Sequence, residues 1–188
     1  MQIRFLCLLL FLSCMAILSC KTSQQVDQSS KTFKCKLPSS IDTISNHCEA
    51  NFDCVFEHYV NSAVEVQTYQ STINSLQIIP GQQQVFKIER TYQDHPQIAD
   101  DEFKENIHFS IDANAESFYF DSSNIRDCGL IYGKASFSRD RGFHVISDAC
   151  LEGYKQNNIW RIQLYLKQQL RTGNTIEKSV QANFITKE

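Results

Sequence analysis

A chain of 188 residues, 42% of them hydrophobic and 21% charged, is long enough to bury one real core, and no second domain is expected. Its net charge of −3, from 18 basic and 21 acidic side chains, argues against nucleic acid as a partner, because that role leaves a basic footprint. Nothing repeats along the chain at solenoid period.

The first 19 residues carry one charge, Arg4, and Phe5 to Leu18 is apolar except for Ser13. A spanning helix needs about 20 predominantly apolar residues, and Lys21 with the polar stretch behind it stops any extension. The segment therefore reads as an export signal, residues 1–19, ending at Cys20. Ile17, Leu18, Ser19 and Cys20 supply a branched apolar residue, a tolerant position, a small residue and a cysteine. In this the chain resembles bacterial lipoproteins, whose signal ends in that order at the cysteine that receives the lipid. The resemblance implies a thioether-linked lipid on Cys20 and a stable membrane anchor, since two or more acyl chains hold where one does not. Lys21 resembles the residue after the cysteine in lipoproteins that Gram-negative bacteria place in or beyond the outer membrane. The expected location is thus the cell envelope, at the outer membrane. An ordinary secretory signal cut nearby, with Cys20 incidental, is the plainer alternative. No Asn is followed two positions later by Ser or Thr, so no glycosylation sequon favours a eukaryotic secretory route.

Residues 20–33 follow as a tether: "KTSQQVDQSSKTF" has few apolar side chains to bury. As a coil its ends sit roughly 20 Å apart, and about 45 Å when fully extended. Removing the signal, which holds one Arg and no acid, shifts the net charge from −3 to −4.

From residue 34 to 188 the apolar residues alternate with period two, the pattern of half-buried strands. In chain order the expected strands are "FDCVFEHY", "AVEVQTY", "QVFKIERTY", "FKENIHFSID", "SFYFD", "LIYGKASFS", "FHVISDACL", "NIWRIQLYLKQQL" and "IEKSVQANFIT". Within "FKENIHFSID", Phe103, Ile107, Phe109 and Ile111 share one face. Trp160, Ile162, Leu164, Leu166 and Leu170 do the same near the end, and "RTGNT" turns the chain toward Ile176, Val180, Ala182 and Phe184. "RDRG" makes a second hairpin, with Gly142 free to take the positive φ of a short connection. About nine short strands with mainly short connections predict an all-β fold, an antiparallel sandwich or barrel. Ala63, Val66, Ile73 and Leu76 also have some helical spacing, so an α+β variant with one short helix near 62–77 is the alternative.

Five of the eight cysteines lie beyond Cys20, and an exported domain reads them as a disulfide framework. Cys48 and Cys54 enclose a tight loop and form the first expected pair. Cys128 and Cys150 flank the "RDRG" hairpin and form the second, provided the chain bends at Gly129. Cys35 is left as the spare thiol. A metal site from His47, Cys48, Cys54 and His58 competes for two of these sulfurs, but its spacing fits no familiar zinc finger. No metal is expected.

The stretches "CEANFDCVFE", "FKENIHFSID" and "LIYGKASFSRDRGFHV", in that order, resemble a family of small, uncharacterised bacterial envelope lipoproteins, over residues 48 to about 166. Gly133, Lys134, Phe137, Arg139 and Gly142 match its pattern. Cysteines of that pattern near Ser136 and Ser138 are absent, which weakens any shared role for thiols at the hairpin. The resemblance implies compartment and fold but no activity.

The chain holds no nucleophile elbow, no phosphate-binding glycine loop and no His-Glu-x-x-His pair. "DHPQIADDE" gathers Asp94, His95, Asp100, Asp101 and Glu102, but without EF-hand spacing it reads as a solvated acidic loop rather than a calcium site. Lys134, Arg139, Arg141 and His144 cluster about the "RDRG" tip. With Phe137 and Phe143 flanking it, Arg139 and Arg141 make this tip the expected partner contact, since Arg and aromatic residues dominate binding energy at interfaces. The reading that results is a membrane-anchored binding or structural module, without cofactor, whose partner is an envelope protein or a glycan. An inhibitor of lysozyme or protease type is the variant within that class. A hydrolase using the acidic loop with His95 or His108 is the competing class.

Overall fold

The computed structural model describes residues 34–39, 41–92, 103–136 and 140–187. Its strands are β1 (Thr43–Ser45), β2 (Phe52–Tyr69), β3 (Thr72–Pro80), β4 (Gln83–Tyr92), β5 (Lys104–Asp112), β6 (Ser117–Phe120), β7 (Ile131–Ala135), β8 (Gly142–Val145), β9 (Ala149–Gln156), β10 (Ile159–Gln169) and β11 (Thr175–Lys187). One 3-10 turn, Ile125–Cys128, precedes β7, and the described residues contain no α-helix. The fold is all-β, as the alternation predicts.

Neighbours follow the order β6-β9-β10-β11-β2-β4-β5-β7-β8, with β1 added to β11 and β3 to β2. The sheet is mixed rather than wholly antiparallel, because β11 runs parallel to both β1 and β2. It is one open sheet folded across itself at the junction of β11 and β2, where Thr186 faces His58. Phe86 of β4 meets Trp160 of β10 edge-on at 5.5 Å and Phe184 of β11 at 5.3 Å, so the two halves bury their inner faces against each other. That is sandwich packing. The expected apolar faces are the observed ones: Ile107, Phe109, Trp160, Ile162, Leu164, Leu166, Val180 and Phe184 all lie in the core. Each such side chain contributes about 1.5–3 kcal/mol on burial.

The strand count differs from nine for local reasons. "FDCVFEHY" and "AVEVQTY" are one strand, β2, interrupted by a bulge where Asn61 takes φ 50° and the register to β4 shifts between Tyr59 and Ser62. The Gly81 N–H donates to the Asn61 carbonyl at 2.9 Å, and a Cβ on Gly81 would sit 2.5 Å from that of Ala63, so only glycine fits this approach. "FHVISDACL" divides at Ile146–Asp148 into β8 and β9, which belong to opposite halves. The helical alternative at 62–77 is corrected to the second half of β2 and most of β3. Gln70 and Ser71, with φ 48° and 63°, form a two-residue turn between them. Cross-strand pairs such as Val64 with Ile78 and Val66 with Leu76 put the apolar residues on one face of this ribbon. Its helical spacing came from two strands read end to end.

Candidate functional site

Three connections meet at one end of the fold: the β2–β3 tip, the segment entering β8, and the β10–β11 turn, all of which line a common cleft. The β10–β11 turn closes because Leu170 N–H donates to the Asn174 carbonyl at 2.8 Å and Gly173 takes φ 88°. Asp140 ties it to the neighbouring segment, accepting from Thr172 Oγ1 at 3.0 Å and from Asn174 Nδ2 at 2.9 Å. Those bonds, Asn174 first, hold the Asp140 carboxyl below its ordinary range. His144 Nε2 lies 3.3 Å from the Asp140 carbonyl. The β10–β11 turn and the segment entering β8 are thus joined by side-chain bonds.

The expected contact residues divide. Arg141 and Phe143 stand here, between two cavities, whereas Phe137 and Arg139 lie outside the described residues. One cavity, of about 500 Å³, is lined by Asn106, Gly133, Lys134, Ser136, Arg141 and Phe143. The Phe143 ring lies over Gly133 so closely that a Cβ there would come within 2.7 Å of it. The other, of about 380 Å³, has Thr72, Arg141, His144, Gln168 and Arg171 among its lining groups. Arg171, from the far turn, was not singled out by the sequence, because it becomes a neighbour of Arg141 only once β8 and β10 are in place. Lys134, in the same basic cluster, instead places Nζ 5.6 Å from the centre of the Phe103 ring.

The cysteines bond differently from one of the two expected pairs. Cys48 and Cys54 are joined, which also removes both sulfurs from the competing metal set. Cys150 is bonded to Cys35 and not to Cys128. The reason is topological: the β7–β8 hairpin ends with Val145 opposite Ile131, and β9 then crosses into the other half, carrying Cys150 away. Cys128 stays buried on the 3-10 turn, its Sγ–H donating to the Ile125 carbonyl, and burial pushes its thiol up to about 12. The strap through Cys35 is also held by the Cys35 N–H, which donates to Glu152, and by Lys34, whose Nζ lies 4.9 Å from the centre of the Tyr119 ring. Cys20 lies outside the described residues, as do Asp94, His95, Asp100, Asp101 and Glu102.

A buried ionic network escaped the sequence reading. Arg90 and Glu105 face each other across β4 and β5, 3.3 Å apart and 4% and 2% exposed. Arg90 also pairs with Asp42, Lys178 bridges Asp42 at 2.8 Å and Glu105 at 2.9 Å, and Tyr132 donates its hydroxyl to Glu105. Burial raises the Asp42 carboxyl, but the bonds and charges of Arg90 and Lys178 outweigh it and hold it low. Burial, then the Glu105 charge, pushes the Tyr132 hydroxyl up. The signal lay in the alternation itself: Phe86, Ile88, Arg90 and Phe109, Ile107, Glu105 are continuous inner faces that end in opposite charges. With every charge matched across four strands and the β1 strap, the network clamps the two halves together. His108, on the opposite face of β5, is buried and held neutral, its pKa lowered to about 4 by burial and then by the Lys87 charge.

Comparisons with protein-family models, with curated proteins and with solved structures find no match to this chain.

Proposed function

We propose that this chain is an envelope-anchored binding module, held to the membrane by lipid on Cys20 and engaging its partner through the end where the three turns meet. The observation that carries the reading is the pair of guanidiniums, Arg141 and Arg171, brought to one cleft by turns that Asp140 locks together. Neither has an ion-pair partner among the described residues, and exposed arginines without partners contribute little to stability. Two disulfides support an oxidising compartment. Binding rather than hydrolysis is supported by His108, which sits buried and neutral where a substrate does not reach it.

The test is cross-linking of the membrane-anchored protein in its native envelope, followed by identification of its neighbours. Recovery of a defined partner that falls at least tenfold in Arg141→Ala/Arg171→Ala, with the fold unchanged, is the expected result. Mass spectrometry of the same material should show acylation at Cys20. A mature N-terminus beyond Lys21 without lipid overturns the anchor, and full partner recovery by the double variant overturns the assigned surface.

A further inference from the structure

The cleft between the turns has a composition that narrows its ligand. Its volume of about 380 Å³ is at the small end of the roughly 300–1,000 Å³ usual for small-molecule sites. Arg141 and Arg171 line it from different turns, and its other polar lining groups are the His144 imidazole with alcohols and amides, including Ser71, Thr72 and Gln168. Among the described residues no carboxylate lines it, and the nearby Asp140 carboxylate is engaged by Thr172 and Asn174. Phe143 lines the cleft as well, its ring held over Gly133 of the adjoining cavity. Guanidiniums recognise carboxylates through paired N–H donors, alcohols and amides match hydroxyls, and an aromatic face accepts the C–H surface of a pyranose ring. Ile73, Val145 and Leu170 also line the cleft and offer apolar surface to the C–H face of such a ring.

We propose that this cleft binds an acidic sugar unit of a glycan, its carboxylate between Arg141 and Arg171 and its hydroxyls on the Thr72 and Gln168 side. The inference rests on the binding-module reading and supplies the chemical class of its ligand. Because the recognition is partly ionic, affinity falls as salt rises.

The experiment is calorimetric titration of the mature protein with three probes: a polygalacturonic-acid oligosaccharide, the same oligosaccharide with its carboxyls reduced to alcohols, and inorganic phosphate. The expected result is saturable binding of the acidic oligosaccharide, at least tenfold weaker for the reduced one. Arg141→Ala and Arg171→Ala should each weaken it at least tenfold without moving the thermal unfolding midpoint, and Arg141→Lys should recover part of the loss. Equal binding of acidic and reduced probes overturns the ionic recognition. Phosphate binding as tightly as the acidic oligosaccharide overturns the sugar assignment. If no oligosaccharide binds while the arginine double variant still loses its cross-linked envelope partner, the sugar inference fails and the binding-module reading stands. If neither depends on the arginines, both fail.

Discussion

Cys35 is bonded to Cys150, 115 residues further along the chain, and its backbone N–H donates to Glu152 two positions beyond that bond. A strap that precedes the first strand is thereby fixed to the outer side of β9. In the chain-entropy picture a loop of that length restricts the unfolded state by about 4–5 kcal/mol, against roughly 2 kcal/mol for a loop as short as Cys48–Cys54. Urea unfolding should find Cys35→Ser/Cys150→Ser destabilised more than Cys48→Ser/Cys54→Ser. Of the five cysteines beyond Cys20, peptide mapping of the unreduced protein should place the free thiol at Cys128, labelled only after unfolding. A free Cys35 would refute this pairing.

Arg90 is expected to be the most sensitive charged position. Replacing it with Met leaves the buried Glu105 and the half-exposed Asp42 with Lys178 alone, and loss of the partner of a buried charge costs about 3–5 kcal/mol. The double variant Arg90→Met/Glu105→Leu removes one charge of each sign and should recover much of that loss, measurable as a coupling energy in a double-mutant cycle. Additive effects would show that the two do not act together.

Stability should fall on mild acidification. His108 remains neutral in the fold down to about 4 but takes its proton near 6.5 in the unfolded chain. Between those values the unfolded state holds more protons, so stability rises with pH across the window and is lost as pH drops through it. The slope from this group reaches up to about 1.4 kcal/mol per pH unit. The pKa of His58, lowered chiefly by burial, acts in the same direction. Unfolding curves at pH 7.0, 6.0 and 5.0, as chosen conditions, should show the loss, and His108→Gln should flatten it.

Gly133 sets the position of the Phe143 ring. A methyl group there would meet Phe143 ring atoms at 2.7 Å, so Gly133→Ala must displace the ring, a clash that typically costs about 1–3 kcal/mol. The expected outcome is a lower unfolding midpoint together with weakened ligand binding. An unchanged midpoint would mean that Phe143 moves freely.

The strands and their inner faces were legible because alternation is a local signal, as in Ile107 and Phe109 or Ile162 and Leu164. What escaped depends on contacts between residues far apart in sequence. The partner of Cys150 is decided by β9 leaving the β7–β8 hairpin for the other half, and nothing near either cysteine records that crossing. Arg141 was identified by its hairpin, but Arg171 joins it only through packing of the β10–β11 turn. The β2–β3 ribbon imitated helical spacing because its two-residue turn, Gln70-Ser71, lacks the glycine or asparagine that usually marks one.

β11, the last strand in the chain, lies at the centre of the sheet, pairing with β10, β1 and β2. Synthesis proceeds from the other end, so the piece that joins the two halves arrives after everything it joins. Until then β2 and β10 each present an open edge, and such edges invite pairing between chains. The two halves therefore cannot be joined edge to edge until β11 has been made. Removing Ile185 to Lys187 would take away the pairs of Thr186 with His58 and Lys187 with Tyr59, which are the seam between the halves.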